Sequence, residues 1–192
     1  MALKKVIVGG SVGDSWLSRA IQYFQRLMPR RRKDLGDVPS HAWAAGYSEE
    51  FGCVLVLEST RHGYRPTEWS RWLAHSRVVR AYHLRDIDMS PAIKWAGKQT
   101  GVKYEFSSIA RYVWTVLVYW FTLRWTHRPE NTPNAMICSE AATRFVQQVG
   151  VLEISRPEQM TPLEFIQAIE HVPAAADVTK QVQDGSWWSE FE

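Results

Sequence analysis

Cysteine is scarce in this chain, which has two thiols, Cys53 and Cys138, among 192 residues. Two thiols cannot build a disulfide framework. The opening MALKKVIVGG reads as a first strand and not as a secretory leader, so both are expected to be free in a soluble, cytoplasmic protein. Long hydrophobic runs are also missing: the longest, Tyr112 to Phe121, is about half of the roughly 20 residues that span a bilayer. Excess charge is small, with 23 Lys and Arg against 20 Asp and Glu, and much of the net +3 sits in the run Arg30 to Lys33. That balance gives no ground for a nucleic-acid partner, and the run is expected to be the solvated face of a loop. The six histidines show neither HExxH spacing nor a CxxC partner, so no metal is expected. The segment GGSVGDS lacks the lysine and spacing of a P-loop and is no dinucleotide fingerprint, so no cofactor is expected either.

What the sequence does have is apolar mass. At 45% hydrophobic residues it can bury a core, its length suits one domain over residues 1–192, and no repeat at periods of 20 to 50 residues divides it. Ten tryptophans are available for that core or for an aromatic contact face. The periodicities alternate between strand and helix. A strand over Lys5 to Val8 runs into a glycine-rich turn, Gly9 to Gly13. Ser15 then caps a helix with Leu17, Ile21, Phe24 and Met28 on one side, ended by Pro29, and Arg30 to Pro39 reads as an exposed loop. His41 to Tyr47 and Cys53 to Glu58 form a hairpin around SEEFG, and Val78 to Leu84 is a further strand.

Helical signals dominate the second half. Thr67 to His75 is weakly helical, with Trp69, Trp72 and Leu73 on one side. Ser90 and Pro91 open a helix that Gly101 closes. Residues Ser108 to Trp125 read as a helix that is apolar almost all round, which implies burial or contact with something outside the domain, a membrane surface included. Arg128 to Asn134 is a loop. Cys138 to Val149 is a helix stopped by Gly150, and TPLE at Thr161 is a capping box opening the last one. The class is α+β: a small antiparallel sheet packed against helices.

The chemistry centres on Cys138. At a helix N-terminus, unpaired amides and the helix dipole favour a thiolate, and the same amides can receive an oxyanion. Position alone also suits a buried structural cysteine, which is the reading for Cys53 in its β-rich run. Glu140, in the first turn, raises the thiol pKa if it points at the sulphur. The hairpin supplies the missing parts. A turn centred between Glu49 and Glu50 pairs His41 with Glu58 across two antiparallel strands, a base beside the group that orients it. Tyr104 is a further hydroxyl for an oxyanion or substrate, or a half-buried structural tyrosine.

Several stretches together resemble the circularly permuted papain-like hydrolases of the NlpC/P60 superfamily, in the YiiX and YaeF-like branch. They are VGDSWLSRAIQ, SHAWAAGY around His41, VLVLEST, AIKWAGKQTGVKYEF, ICSEAATRFVQQVG around Cys138, and MTPLEFI. The resemblance covers most of the chain, including the order of histidine before cysteine. It implies a permuted papain-like fold with Cys138 as nucleophile, His41 as base and Glu58 as third member. The implied reaction is hydrolysis of an amide in a peptide or peptidoglycan-like substrate through an acyl-enzyme, without a cofactor. Two alternatives stand beside it. One is an acyl or lipid hydrolase or acyltransferase using the same pair, with the apolar stretch 112–125 touching lipid. The other is a non-catalytic binding protein that keeps the fold. The aromatic stretch Tyr112 to Trp125 departs from the family's pattern.

Overall fold

A computed structural model describes residues 2–27, 37–105, 110, 114, 118 and 135–191. Within them the class is α+β, a six-stranded antiparallel sheet with several helices. The strands are β1 (Lys4–Gly13), β2 (His41–Ser48), β3 (Cys53–Thr60), β4 (Gly63–Glu68), β5 (Ser76–Leu84) and β8 (Ala175–Asp177), in the order β4-β3-β2-β1-β5-β8. A separate parallel pair joins β6 (Lys103–Tyr104) to β7 (Ala135–Met136). The helices are α1 (Trp16–Arg26), α2 (Trp69–Leu73), α3 (Ser90–Gln99), α4 (Cys138–Gln147), α5 (Pro162–Glu170) and α6 (Thr179–Gln183), with short 3-10 turns at Pro157–Gln159 and Ser186–Phe191.

The period of two sorts the sheet's side chains into two cores. Val6, Val8, Ala42, Ala44, Leu55 and Leu57 face α3, α4 and α5, which contribute Ala92, Ile93, Phe145, Val146, Phe165 and Ile166. On the opposite face Ile7, Trp43, Ala45, Val56 and Ala81 meet Trp69 and Trp72 of α2, Val182 of α6 and Trp188. Trp43 is fully buried and meets Trp69 and Trp72 edge to face at 5.8 and 5.2 Å, so the tryptophans serve first as core.

Several expectations are corrected. Gly9 to Gly13 is not a turn: β1 runs through it, paired with β2 on one side and β5 on the other. Glycine is there for space, since a Cβ on Gly9 would lie 2.5 Å from the Arg80 carbonyl oxygen and 2.5 Å from the Trp43 ring. The hairpin turn is Glu49–Gly52 and Ser48 faces Cys53, a register two residues away from the one expected. Gly52 takes φ +62, and it is the residue of the turn best able to do so, which moves the turn toward it. Strand β4, with Pro66 on the sheet edge, was masked by its polar sequence. Leu73 is exposed, while Trp69 and Trp72 are buried. Val38 and Pro39 are buried, and Gln22 and Gln25 donate to their carbonyl oxygens at 2.8 and 2.7 Å, so the end of the expected loop belongs to the core.

Other signals place elements as expected. Ser15 caps α1 by accepting from the Ser18 amide, Thr161 and Glu164 form the reciprocal capping box of α5, and Gly101 and Gly150 take positive φ after α3 and α4. The Arg30 to Lys33 run, the end of the first predicted helix at Met28 and Pro29, and the loop Arg128 to Asn134 lie outside the described residues. Of the helix expected over 108–125, only Ala110, Trp114 and Val118 are described. All three are helical, and Trp114 is exposed. Among the described residues no helix is long and apolar enough to cross a membrane.

Candidate active site

Three elements converge where the β2–β3 ladder stops. Pairing ends at Ala44 with Leu57, leaving the first residues of β2 and the last of β3 beyond it. His41 and Glu58 stand there as diagonal neighbours and not directly opposite each other. A slip of two residues preserves the face each side chain occupies, whereas a slip of one would have separated them. The contact survives: His41 Nε2 lies 2.7 Å from Glu58 Oε2.

Glu58 is held more firmly than a pair would hold it. Its Oε2 also accepts from Trp72 Nε1 at 3.0 Å, and its Oε1 accepts from Thr67 Oγ1 at 3.3 Å. The carboxylate is 6% exposed, and burial pushes its pKa up. The imidazole, indole and hydroxyl donors outweigh that, and the pKa lies below the usual carboxylate value. Trp72 and Thr67 were not anticipated. Both depend on β4 and α2 folding back beside β3, which no local motif announces.

Cys138 enters from the other side as the first residue of α4. Ser59 Oγ donates to the Met136 carbonyl oxygen at 2.8 Å and Ser139 Oγ donates to that of Met160, so β3 and the segment before α5 clamp the helix start. Ile137, the N-cap, offers no side-chain hydrogen bond, and the first intrahelical bond is Ala141 N–H to the Ile137 carbonyl. The amides of the first turn therefore stay available to an anion. The Ser139 amide donates to the Cys138 sulphur, as does the amide of Ala42, which lies past the end of the strand ladder.

A hydrogen bond joins His41 to Cys138. With Nε2 engaged by Glu58, Nδ1 is the ring nitrogen left for the sulphur. Burial lowers the imidazole's pKa, but the facing thiolate and the Glu58 carboxylate outweigh it and push it up to about 10. Burial raises the thiol, and the imidazolium and the two amides outweigh that and bring it below the ordinary thiol value. Both directions favour one arrangement, a thiolate–imidazolium pair backed by a carboxylate. Tyr104, brought in by the parallel pairing of Tyr104 with Met136, hydrogen-bonds the same sulphur. Its pKa lies well above that of an ordinary phenol because of burial and the thiolate beside it.

The remaining cysteine and the first-turn acid have partners of their own. Cys53 begins β3 half-buried, and its thiol is raised by burial and by Glu68. Glu140 accepts from Arg144 Nε at 2.8 Å within α4.

His41, Glu58 and Tyr104 open onto a cleft of about 860 Å³. One wall is the start of α1, with Trp16, Leu17 and Ile21. The other runs from the end of β3 through β4 to α2 and carries Arg61, Arg65 and Arg71. The apolar stripe of α1 thus lines the cleft, while its polar Ser18 and Gln25 are the residues it buries. Gln25 bonds the Pro39 carbonyl and the Leu163 amide, and Ser18 bonds Ser40. Among the described residues no cluster of three or more His, Cys, Asp or Glu side chains is arranged to hold a metal ion. No protein-family model, curated protein or solved structure matches the chain.

Proposed function

We propose that the protein is a cysteine hydrolase that cleaves an amide, in a peptide or peptidoglycan-like substrate, through an acyl-enzyme on Cys138. One observation carries this reading: Glu58 and His41 line a cleft, and His41 is hydrogen-bonded to a cysteine, Cys138, at a helix N-terminus. A structural cysteine needs no imidazole, no buried carboxylate behind that imidazole and no amides aimed at its sulphur. The same order of residues and the α+β class are in keeping with the permuted papain-like NlpC/P60 fold, which is part of the proposal.

The thiolate attacks the substrate carbonyl carbon. The negative charge that develops on the carbonyl oxygen is received by the Cys138 amide and, on this reading, by the Tyr104 hydroxyl, the second donor the reaction requires. His41 Nδ1–H passes its proton to the leaving amine, and the C–N bond breaks to leave a thioester on Cys138. Water then attacks the thioester while His41 takes its proton, and collapse returns the thiolate and frees the acid. Throughout, Glu58 keeps the Nε2–H engaged, which fixes the ring's orientation and stabilises its charged form.

The test is covalent and catalytic together. A thiol-directed activity probe should modify Cys138 in the parent and fail in Cys138→Ala and His41→Ala. Hydrolysis of peptidoglycan fragments, compared with acyl esters, assigns the scissile bond. A parent whose Cys138 ignores the probe refutes hydrolysis and leaves the non-catalytic binding protein; turnover of esters alone replaces amidase by acyl hydrolase.

A further inference from the structure

The cationic wall of the cleft has no part in the bond-breaking steps. Arg61, Arg65 and Arg71 all line the cleft and are exposed, and His62 and His75 also line it. Among the described residues, no carboxylate forms an ion pair with any of the three arginines. Glu68, the acid nearest Arg71 in sequence, directs its oxygens to the Ser70 and Arg71 amides and the Ser70 hydroxyl as the cap of α2. Among the described residues of the lining the acids are Asp14, which is exposed, and Glu58, which is turned to His41.

Three exposed guanidinium groups share one concave site without an ion-paired carboxylate among the described residues, although Glu68 attracts Arg71 at longer range. A surface with no ligand to meet would intersperse the two signs. The strand order explains how they come together. Arg61 follows β3, Arg65 stands directly opposite Glu58 on β4, and Arg71 lies on α2 one residue before Trp72, which bonds Glu58. The two elements that anchor the orienting carboxylate therefore also carry two of the three arginines. The α1 N-terminus on the facing wall has no acid in its first turn and adds the positive end of its dipole.

We propose that the substrate of this site bears an anionic group, a carboxylate or a phosphate, beside its scissile acyl group, and that Arg61, Arg65 and Arg71 recognise it. The inference rests on the hydrolase reading above and narrows its substrate class. Guanidinium forks suit both oxyanions bidentately, and low-dielectric walls focus their field into the cleft.

Alkylation of Cys138 separates this inference from the reading beneath it. Iodoacetamide and iodoacetate differ essentially in charge, and the rate with the neutral reagent is the internal reference for each variant. The parent at low ionic strength should favour iodoacetate, and the preference should fall about tenfold in R61Q/R65Q/R71Q. In 1 M salt, where the Debye length is about 3 Å, most of the parent's preference should disappear. The imidazolium of His41 is common to parent and variant and drops out of the comparison. Succinate and inorganic phosphate serve as competitors: stronger protection by succinate assigns a carboxylate, and stronger protection by phosphate assigns a phosphate. A ratio that the arginine substitutions and salt leave unchanged, or protection by neither anion, overturns the anionic substrate while leaving the hydrolase intact. A Cys138 inert to iodoacetamide overturns the hydrolase itself.

Discussion

Replacing Glu58 tests the site at the point where its parts are most tightly joined. One carboxylate oxygen accepts from both His41 Nε2 and Trp72 Nε1, and the other accepts from Thr67 Oγ1. In Glu58→Gln the amide oxygen can take the doubly used position, and the new NH₂ can donate to the Thr67 hydroxyl, which accepts as readily as it donates. Geometry is kept and only the charge is lost. A hydrogen bond to a charged acceptor is worth about 1 to 1.5 kcal/mol more than a neutral one, so the imidazolium should lose about one pH unit of stabilisation and kcat/KM should fall about tenfold. The sign follows from the two directions. The reactive ion pair exists above the lowered pKa of Cys138 and below that of His41, at about 10. Weakening the pair therefore moves the acid limb of the rate profile up and the alkaline limb down, so the bell narrows from both sides. Glu58→Ala should do more, because it strands two donors, the indole N–H and the imidazole Nε2–H, at about 1 to 3 kcal/mol each. That predicts a loss of about 2 to 6 kcal/mol in stability and on the order of a hundredfold or more in rate. Initial rates and iodoacetamide kinetics across pH, with urea denaturation of each variant, measure all of these. An Ala variant with the parent's bell width, or a Gln variant whose alkaline limb does not move, would refute the relay.

Three further outcomes follow from the same structure. At pH 6 an ordinary thiol is only about 0.3% ionised, and Cys53 is raised further, whereas Cys138 is lowered; even after the lower nucleophilicity of an acidic thiolate, iodoacetamide should favour Cys138 on the order of tenfold by peptide mass spectrometry. Equal labelling of Cys53 at that pH would contradict the ion pair, and the comparison is demanding because Cys138 is only 4% exposed. Tyr104→Phe should lower kcat about a hundredfold while Cys138 still alkylates, since it removes an oxyanion donor and leaves the His41 pair; an unchanged kcat would assign the tyrosine to packing alone. Gly9→Ala should cost about 2 to 3 kcal/mol in urea denaturation because its Cβ meets the Arg80 carbonyl and the Trp43 ring, and a neutral result would mean that β1 yields there.

Local chemistry made much of this protein legible before any tertiary structure. Ser15, Thr161 with Glu164, Gly101 and Gly150 mark helix ends through backbone groups within a few residues, so their signals need no partner from elsewhere in the chain. The helix opening on Cys138 and the hairpin bearing His41 and Glu58 were legible for the same reason, and a period of two kept both side chains on one face although the turn lies one residue along and shifts the pairing by two. Other features depended on contacts distant in sequence. Gly9 to Gly13 looks like a turn until Trp43 and the Arg80 carbonyl occupy the space a side chain would need. Strand β4 is polar because it is an edge, and only its pairing with β3 brings Thr67 to Glu58. Trp72 could be read as aromatic mass, but its role as a donor to a buried carboxylate exists only once α2 folds back over the sheet. The cationic wall is dispersed in the sequence as Arg61, Arg65 and Arg71, and it becomes a single electrostatic surface because β3, β4 and α2 are adjacent in space. Helix ends and strand faces are local properties of the backbone, whereas burial, hydrogen-bond partners and summed charge are set by what the fold brings alongside.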